Sequence, residues 1–134
     1  MAIGETSLDN LLANLCPVLA ENRYVFVTLP DSLSPSLYEQ ALCVFKETEG
    51  TTFILDADLA DQLGYAYDGY YRQIICKVHS SLEAVGMTAA ISTQLAAHGI
   101  SANVVAAYFH DHIFVPEKSA EKAVALMEQL ADNG

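Results

Sequence analysis

The chain has 134 residues, of which 52% are hydrophobic and 17% are charged, and its formal net charge at pH 7 is −11. The hydrophobic content is enough for a folded core, in one compact domain or in two small halves, and argues against disorder. The negative charge argues against nucleic acid and membrane surfaces as partners, because both attract clustered Lys and Arg side chains.

No basic segment followed by an apolar run opens the chain, and polar residues interrupt its longest apolar stretch. We therefore expect a soluble, cytoplasmic protein. The cysteines Cys16, Cys43 and Cys76 are widely spaced within apolar segments, which predicts buried free thiols. The low charged fraction predicts apolar surface in contact with another subunit, in a homodimer or another homo-oligomer.

In the N-terminal part, leucines at helical spacing after Ser7 predict a helix that ends before Pro17. Residues 18–20 and 24–29 then predict a strand hairpin around a polar turn. The proline-rich and serine-rich residues 30–36 predict a loop.

A second hairpin is predicted for residues 41–45 and 51–55. Asp56 is expected to cap a short helix, which stops before Gly64. The tyrosine-rich residues 65–71 follow. Their rings could line a ligand pocket or cover a sheet edge, and packing is the role we expect.

The remaining residues predict the order strand, helix, strand, strand, helix. These elements occupy residues 74–78, 84–97, 100–109, 113–115 and 120–130, with a hairpin turn at His110-Asp111. Both faces of the strands are apolar, so helices are expected to cover the antiparallel sheet. Only four residues follow position 130, so a fourth strand has to come from the first half, either residues 24–29 or residues 41–45. The two halves are therefore predicted to interleave.

A faint internal repeat supports two paired units. Residues 11–30 parallel residues 95–116 in the order of their predicted elements and in the closing proline. Residues 53–56 lead into a helix as residues 114–117 do. Two matches in register favour a pair of α+β units.

The polar turn 79–86, between a predicted strand and a predicted helix, is the strongest candidate for a binding site. Backbone N–H groups at a helix start can hold a small anion. Ser80 and Ser81 add hydroxyl groups, Gly86 permits the close approach of a ligand, and Asn103 offers both a donor and an acceptor. The alternative is that a serine only caps the helix and that Gly86 only allows contact between helix and sheet.

Catalytic and metal sites are less well supported. In one strand His110 and His112 would share a face, but a hairpin turn between them would point them apart, and His79 is distant in sequence. We therefore predict no metal and no cofactor. Neither a GxSxG motif nor a glycine-rich phosphate loop is present. Glu83 and Asp111 could be imagined as a carboxylate pair, although surface solvation explains both.

The pieces HSSLEAVG, TAAIS, GISANVVA and HDHIFVP, between Arg72 and Val115, resemble small bacterial ACT-domain proteins that pair two ACT units. The segment PVLAENRYVFVTLP extends this similarity more weakly to the first half. Such proteins are related to aspartokinase regulatory domains and to arginine sensors of the CASTOR type. The resemblance implies a ferredoxin-like βαββαβ fold and a small ligand, usually an amino acid, bound at an interface between units. The positions that match the ligand-binding region are His79, Ser80, Ser81, Leu82, Glu83, Val85, Gly86, Asn103 and Val104.

Together these observations predict an α+β chain with one ACT-like unit in residues 1–65 and another in residues 66–134. We expect a non-catalytic regulatory or sensing module that binds an amino acid. The ligand carboxylate would meet N–H groups near residues 81–83, and Asn103 would help to orient the ammonium group. Two alternatives stay open: a structural interaction module without a ligand, and a small metal-dependent enzyme that uses His79, His110 and His112.

Overall fold

The computed structural model describes residue 4 and residues 7–30, 35–82 and 84–133, apart from the side chain of Asn133. The chain forms two compact units. The split unit consists of Met1–Glu21 and Arg72–Gly134, and the continuous unit consists of Asn22–Tyr71. The first strand, β1, belongs to both, because it extends over Pro17–Leu29.

The continuous unit has the order strand, helix, strand, strand, helix. After β1 come α2 (Pro35–Gln40), β2 (Cys43–Lys46), β3 (Thr51–Asp56) and α3 (Ala57–Leu63). The strand order is β2-β3-β1, and β3 is antiparallel to both neighbours. Buried Val25, Val27, Phe53 and Leu55 form its core, against which Tyr65, Tyr67 and Tyr70 pack. These tyrosines have the packing role predicted for them.

The predicted hairpin around residues 21–23 is wrong, because residues 17–29 form one strand. This polar stretch contains neither glycine nor proline, which a tight reversal favours. The guanidinium group of Arg23 instead lies 4.0 Å from the centre of the Tyr70 ring.

The second hairpin and the short helix of the continuous unit are confirmed. Asp56 caps α3 by accepting a hydrogen bond from the Asp58 N–H at 2.9 Å, and Gly64 ends it with a φ of 73°. Residues 31–34 of the predicted loop lie outside the described residues. Pro35 and Ser36 begin α2, which the sequence analysis missed although proline is favoured at the first helical position.

The split unit repeats the order strand, helix, strand, strand, helix. It also contains a strand from the start of the chain. Its elements are α1 (Leu8–Ala13), the start of β1, β4 (Tyr71–Cys76), α4 (Met87–Ala96), β5 (Asn103–Ala106), β6 (Asp111–Pro116), a 3-10 turn (Glu117–Ser119) and α5 (Ala120–Asn133). The strand order is β1-β4-β6-β5, which is the order of a ferredoxin-like sheet completed by its fourth strand.

The interleaving of the two halves is confirmed, and the strand that the first half supplies is β1, through its start and not through the predicted residues 24–29. The start of β1 lies beside β4, and the Lys77 N–H donates to the Cys16 carbonyl at 3.2 Å. Residues 24–29, in the later part of β1, pair with β3, and β2 lies on the far side of β3 from β1.

The core of the split unit lies between its sheet and the helices α1, α4 and α5. Its fully or nearly fully buried side chains include Leu11, Leu15, Ile74, Cys76, Ile91, Leu95, Ile113, Val115 and Met127. Of the cysteines only Cys76 is buried. Cys16 is exposed and Cys43 is half-buried, so the prediction of three buried thiols is wrong for Cys16.

Three boundaries in the split unit differ from the prediction. Helix α4 begins at Met87 and not at residue 84, because Gly86 has a φ of 101°, outside the helical region. Strand β5 covers only residues 103–106. The hairpin turn lies at residues 107–110, where the Ala107 N–H donates to the His110 carbonyl at 3.1 Å, so Asp111 begins β6.

The internal repeat is confirmed in its second match only. Strands β3 and β6 show the same succession of buried and half-buried positions, and each leads into a helix. The first match is wrong because residues 17–29 form one strand, whereas β5 and β6 form a hairpin. The halves 1–65 and 66–134 stay our proposal for the two repeated units.

Candidate ligand-binding site

The segment between β4 and α4 forms one wall of the candidate site. Gly86 stands directly before α4, and its carbonyl accepts the first intrahelical hydrogen bond, from the Ala90 N–H at 2.9 Å. The N–H groups of residues 87–89 therefore have no partner within the helix. They provide hydrogen-bond donors and a partial positive charge at this end of α4.

A cavity of about 120 Å³ lies at this helix start, entirely within the split unit. Its lining residues come from the β4–α4 segment, from the first turn of α4 and from the β5–β6 hairpin. They are Ser80, Ser81, Leu82, Ala84, Gly86, Met87, Thr88, Ala106 and Asp111. The cavity therefore brings a helix start, hydroxyl groups and a carboxylate together.

Asp111 is the charged residue of the cavity. It is the first residue of β6, opposite Ala106 in the hairpin, and only 7% of its surface is exposed. Its side chain lines the cavity, and no buried side-chain oxygen or nitrogen atom of the described residues lacks a hydrogen-bond partner. Burial raises the pKa of this carboxyl group, against the opposing effect of His112 and His110.

The start of the chain also reaches this wall. A Cβ atom added to Gly4 would lie 2.5 Å from both the Ser80 carbonyl carbon and the Ser81 nitrogen. The backbone of residue 4 thus lies directly against the Ser80–Ser81 peptide, and only glycine fits there.

Four of the nine predicted site residues line the cavity: Ser80, Ser81, Leu82 and Gly86. Glu83 lies outside the described residues. Val85 is largely exposed between two lining residues, and Val104 packs against the core of the split unit. The Asn103 amide donates to the Phe114 carbonyl at 3.1 Å, and the His79 ring packs against Tyr108 and Phe109.

The sequence pattern did not predict Asp111 as a site residue, nor the other lining residues, Ala84, Met87, Thr88 and Ala106. Asp111 was predicted to lie in the hairpin turn and on the solvated surface. The match between residues 53–56 and 114–117 aligns Asp111 with Gly50, so it could not have identified this residue. The strands β3 and β6 instead align Asp111 with Thr51, one residue away from that register, and Thr51 is also buried.

The histidines have separate environments. His112 Nδ1 lies 2.9 Å from the side-chain amide nitrogen of buried Gln73, and His110 Nδ1 lies 3.5 Å from the Val78 carbonyl oxygen. Burial, followed by the nearby His110, lowers the pKa of His112. Within the described ranges, no three His, Cys, Asp or Glu side chains form a group that could hold a metal ion.

Comparison with known proteins identifies the family. A family model described as ACT domain matches residues 3–72, and a second one, also described as ACT domain, matches residues 70–129. The chain belongs to the ACT-domain family. The predicted resemblance and the α+β, ferredoxin-like fold with two ACT units are therefore confirmed. ACT domains are ligand-binding regulatory modules.

Solved structures share this fold. A Vibrio cholerae protein of unknown function, described as a possible transport protein, is 44% identical, with 92% of this chain and 95% of that chain covered and a TM-score of 0.83. An Agrobacterium tumefaciens protein is 16% identical, with coverages of 86% and 87% and a TM-score of 0.72. The ligand-free regulatory subunit of aspartate kinase from Thermus thermophilus is 10% identical, with coverages of 85% and 95% and a TM-score of 0.64. No protein of curated function matches the chain.

None of the helices in the described part of the chain combines the length and the apolar character that crossing a membrane requires.

Proposed function

We propose that the chain is a non-catalytic, cytoplasmic regulatory module that binds a free α-amino acid in the cavity of the split unit. One observation carries this proposal: the carboxylate of the largely buried Asp111 shares a small cavity with the start of a helix. Family membership provides the regulatory role.

The two ends of the cavity match the two charges of an amino acid. The ligand carboxylate would accept hydrogen bonds from the N–H groups at the start of α4 and from the serine hydroxyls. The ligand ammonium group would donate to Asp111. We assign this second role to Asp111 and not to Asn103, whose amide is engaged with Phe114.

The size of the cavity restricts what can enter. Its volume of about 120 Å³ corresponds to roughly four water molecules at about 30 Å³ each. Pockets for drug-sized ligands occupy about 300–1,000 Å³. The carboxylate, ammonium group and α-carbon of an amino acid fit the smaller space, whereas a nucleotide does not.

Binding would act through a change in population. A ligand that bridges the β4–α4 segment and the β5–β6 hairpin stabilises the conformation in which both are in place. The regulatory output then passes to a partner protein or to another copy of the chain that senses this conformation.

Calorimetry with each of the twenty amino acids tests the proposal. At least one should bind, and Asp111→Asn should weaken that binding by about 10-fold to 100-fold, because a hydrogen bond to a charged group contributes about 1.5–3 kcal/mol. Asp58→Asn, the same change at an exposed carboxylate in the other unit, is the control and should leave the affinity unchanged. No heat with any amino acid, from protein shown to be folded, would rule the proposal out.

We also infer that the continuous unit contacts a second copy of the chain. Strand β2 stands at the end of the strand order, and its Phe45 is 67% exposed in a shallow surface groove with Tyr38, Val44 and Lys46. A second copy offers the same edge, so two β2 strands would pair and cover the exposed Phe45 of each other. Sedimentation should show a dimer that Phe45→Lys converts to monomer, and a monomeric parent protein would contradict this inference.

A further inference from the structure

Two apolar side chains stand exposed where the β4–α4 segment borders the cavity. Leu82 lines the cavity and is 65% exposed, and Val85, between the lining residues Ala84 and Gly86, is 81% exposed. Single exposed apolar residues are ordinary, but two within four positions at the rim of a cavity form a local apolar surface.

A second apolar group adjoins the opposite wall. Ala106 lines the cavity, and the turn that follows it carries Tyr108 and Phe109, both exposed. Their ring centres are 5.0 Å apart, and the His79 ring lies 5.5 Å from that of Phe109. Aromatic contacts of this kind hold the rings in a defined surface cluster.

We propose that the site selects α-amino acids with apolar side chains. The side chain would leave the cavity and lie on Leu82 and Val85, towards the aromatic cluster. This inference rests on the proposed function, and it adds the chemical class of the ligand.

The cavity and its charges both favour this class. The cavity volume of about 120 Å³ limits how much of a ligand is enclosed, so a long side chain would extend outward across the apolar rim. Among the described lining residues, Asp111 is the sole charged one, and its carboxylate would pair with the ligand ammonium group. A second charge on the ligand, as in lysine or aspartate, therefore finds no counter-charge in the described lining and would be placed against apolar side chains.

Calorimetric titrations with alanine, leucine, methionine, lysine and aspartate test the selection. Leucine and methionine should bind about tenfold more tightly than alanine. Full burial of three additional carbons at about 0.8 kcal/mol each would give roughly 60-fold, and an open rim covers about half of that surface.

The double variant Leu82→Ser, Val85→Ser should reduce the ratio of leucine to alanine affinity to near one. Leu63→Ser, which replaces an exposed leucine of the continuous unit, is the matched control and should keep the tenfold ratio.

The outcomes separate the two proposals. If alanine binds and Asp111→Asn weakens that binding as expected, but leucine binds no better, the selection is wrong and the proposed function stands. Tighter binding of lysine or aspartate than of leucine, or an unchanged ratio in the double variant, also overturns the selection. If no amino acid binds, both proposals fail.

Discussion

At the scale of single residues, Asp111 is the side chain whose burial most needs an explanation. Asp111 as a residue is only 7% exposed, and the desolvation of its carboxyl group disfavours the charged form in the folded protein. The raised pKa of Asp111 expresses this penalty, because burial favours the protonated form. Such a group is typical of a site where stability is given up for binding.

This penalty predicts how Asp111→Asn affects stability. Since the folded-state pKa of Asp111 lies above its unfolded value, its ionisation destabilises the native state at neutral pH, and the penalty disappears as the pH falls below the unfolded value. The variant should therefore unfold at a higher temperature than the parent protein at pH 7 in the absence of ligand, and the difference should shrink towards pH 3. Calorimetric scans across this range check it, with Asp58→Asn as the matched control. A lower unfolding temperature at pH 7 would mean that the carboxylate stabilises the fold.

The cysteines should differ in reactivity. Burial, with a further contribution from the nearby Asp111 charge, raises the pKa of the Cys76 thiol to about 12, so that almost no thiolate forms at pH 8. Cys16 is exposed. Maleimide labelling followed by peptide mass spectrometry should find Cys16 modified in the native protein and Cys76 modified only after unfolding. Rapid native labelling of Cys76 would show that the core of the split unit opens easily.

At the scale of elements, the start of the chain and the β4–α4 segment depend on each other at Gly4. An added Cβ at 2.5 Å from backbone atoms of Ser80 and Ser81 cannot be accommodated unless one segment moves. Gly4→Ala should therefore displace the serines of the cavity wall and weaken amino acid binding by about tenfold or more, with an overpacking cost of about 1–3 kcal/mol in stability.

Gly99→Ala provides the control for this effect. Gly99 has a φ of 71° with no atom within 4 Å of an added Cβ, so alanine there costs roughly 1–2 kcal/mol through backbone strain alone. Calorimetry of both variants should show similar losses of stability but a loss of affinity only for Gly4→Ala. Equal affinities in the two variants would show that Gly4 does not support the site.

The sequence predicted elements best where local chemistry decides them. Asp56 and Gly64 bound α3 through a cap and a positive φ, which are both local properties. The continuity of β1 was missed, because residues 21–23 are polar and their extended conformation depends on partners distant in the sequence. The same limit applies to the source of the fourth strand in the split unit, which the sheet pairing determines.

The sequence predicted only part of the lining of the candidate site, for a related reason. A turn before a helix is visible in sequence, so Ser80, Ser81 and Gly86 were identified. Asp111 comes from a hairpin 25 residues beyond Gly86, and the centre of the turn was expected two residues later along the chain than it occurs. A shift of that size turns a buried strand residue into an apparent loop residue.

At the scale of the whole molecule, the net charge of −11 means that the charged side chains on average repel one another. Seventeen Asp and Glu residues face only six Lys and Arg residues, and excess charge of one sign destabilises the compact state. Salt screens such repulsion, with a Debye length that falls from about 30 Å at 0.01 M to about 3 Å at 1 M. The unfolding temperature should therefore rise by several degrees between 0.02 M and 0.5 M NaCl, and choline chloride should act similarly. A fall in unfolding temperature over this range would mean that attractive ion pairs dominate.

Two substitutions at opposite ends of α5 separate this general repulsion from local helix electrostatics. Glu121 lies in the first turn of α5, and exposed Asp132 lies near its end, where no basic residue is present. Asp132→Lys and Glu121→Lys each replace a negative charge by a positive one, which changes the net charge from −11 to −9. The salt dependence of the unfolding temperature should therefore decrease equally in both. At low salt Asp132→Lys should be the more stable variant by about 1.2–4 kcal/mol. The two variants differ by a reversed charge at both ends of the helix, and each favourable or unfavourable charge contributes about 0.3–1 kcal/mol. If thermal scans gave equal stability at low salt, net charge alone would govern this surface.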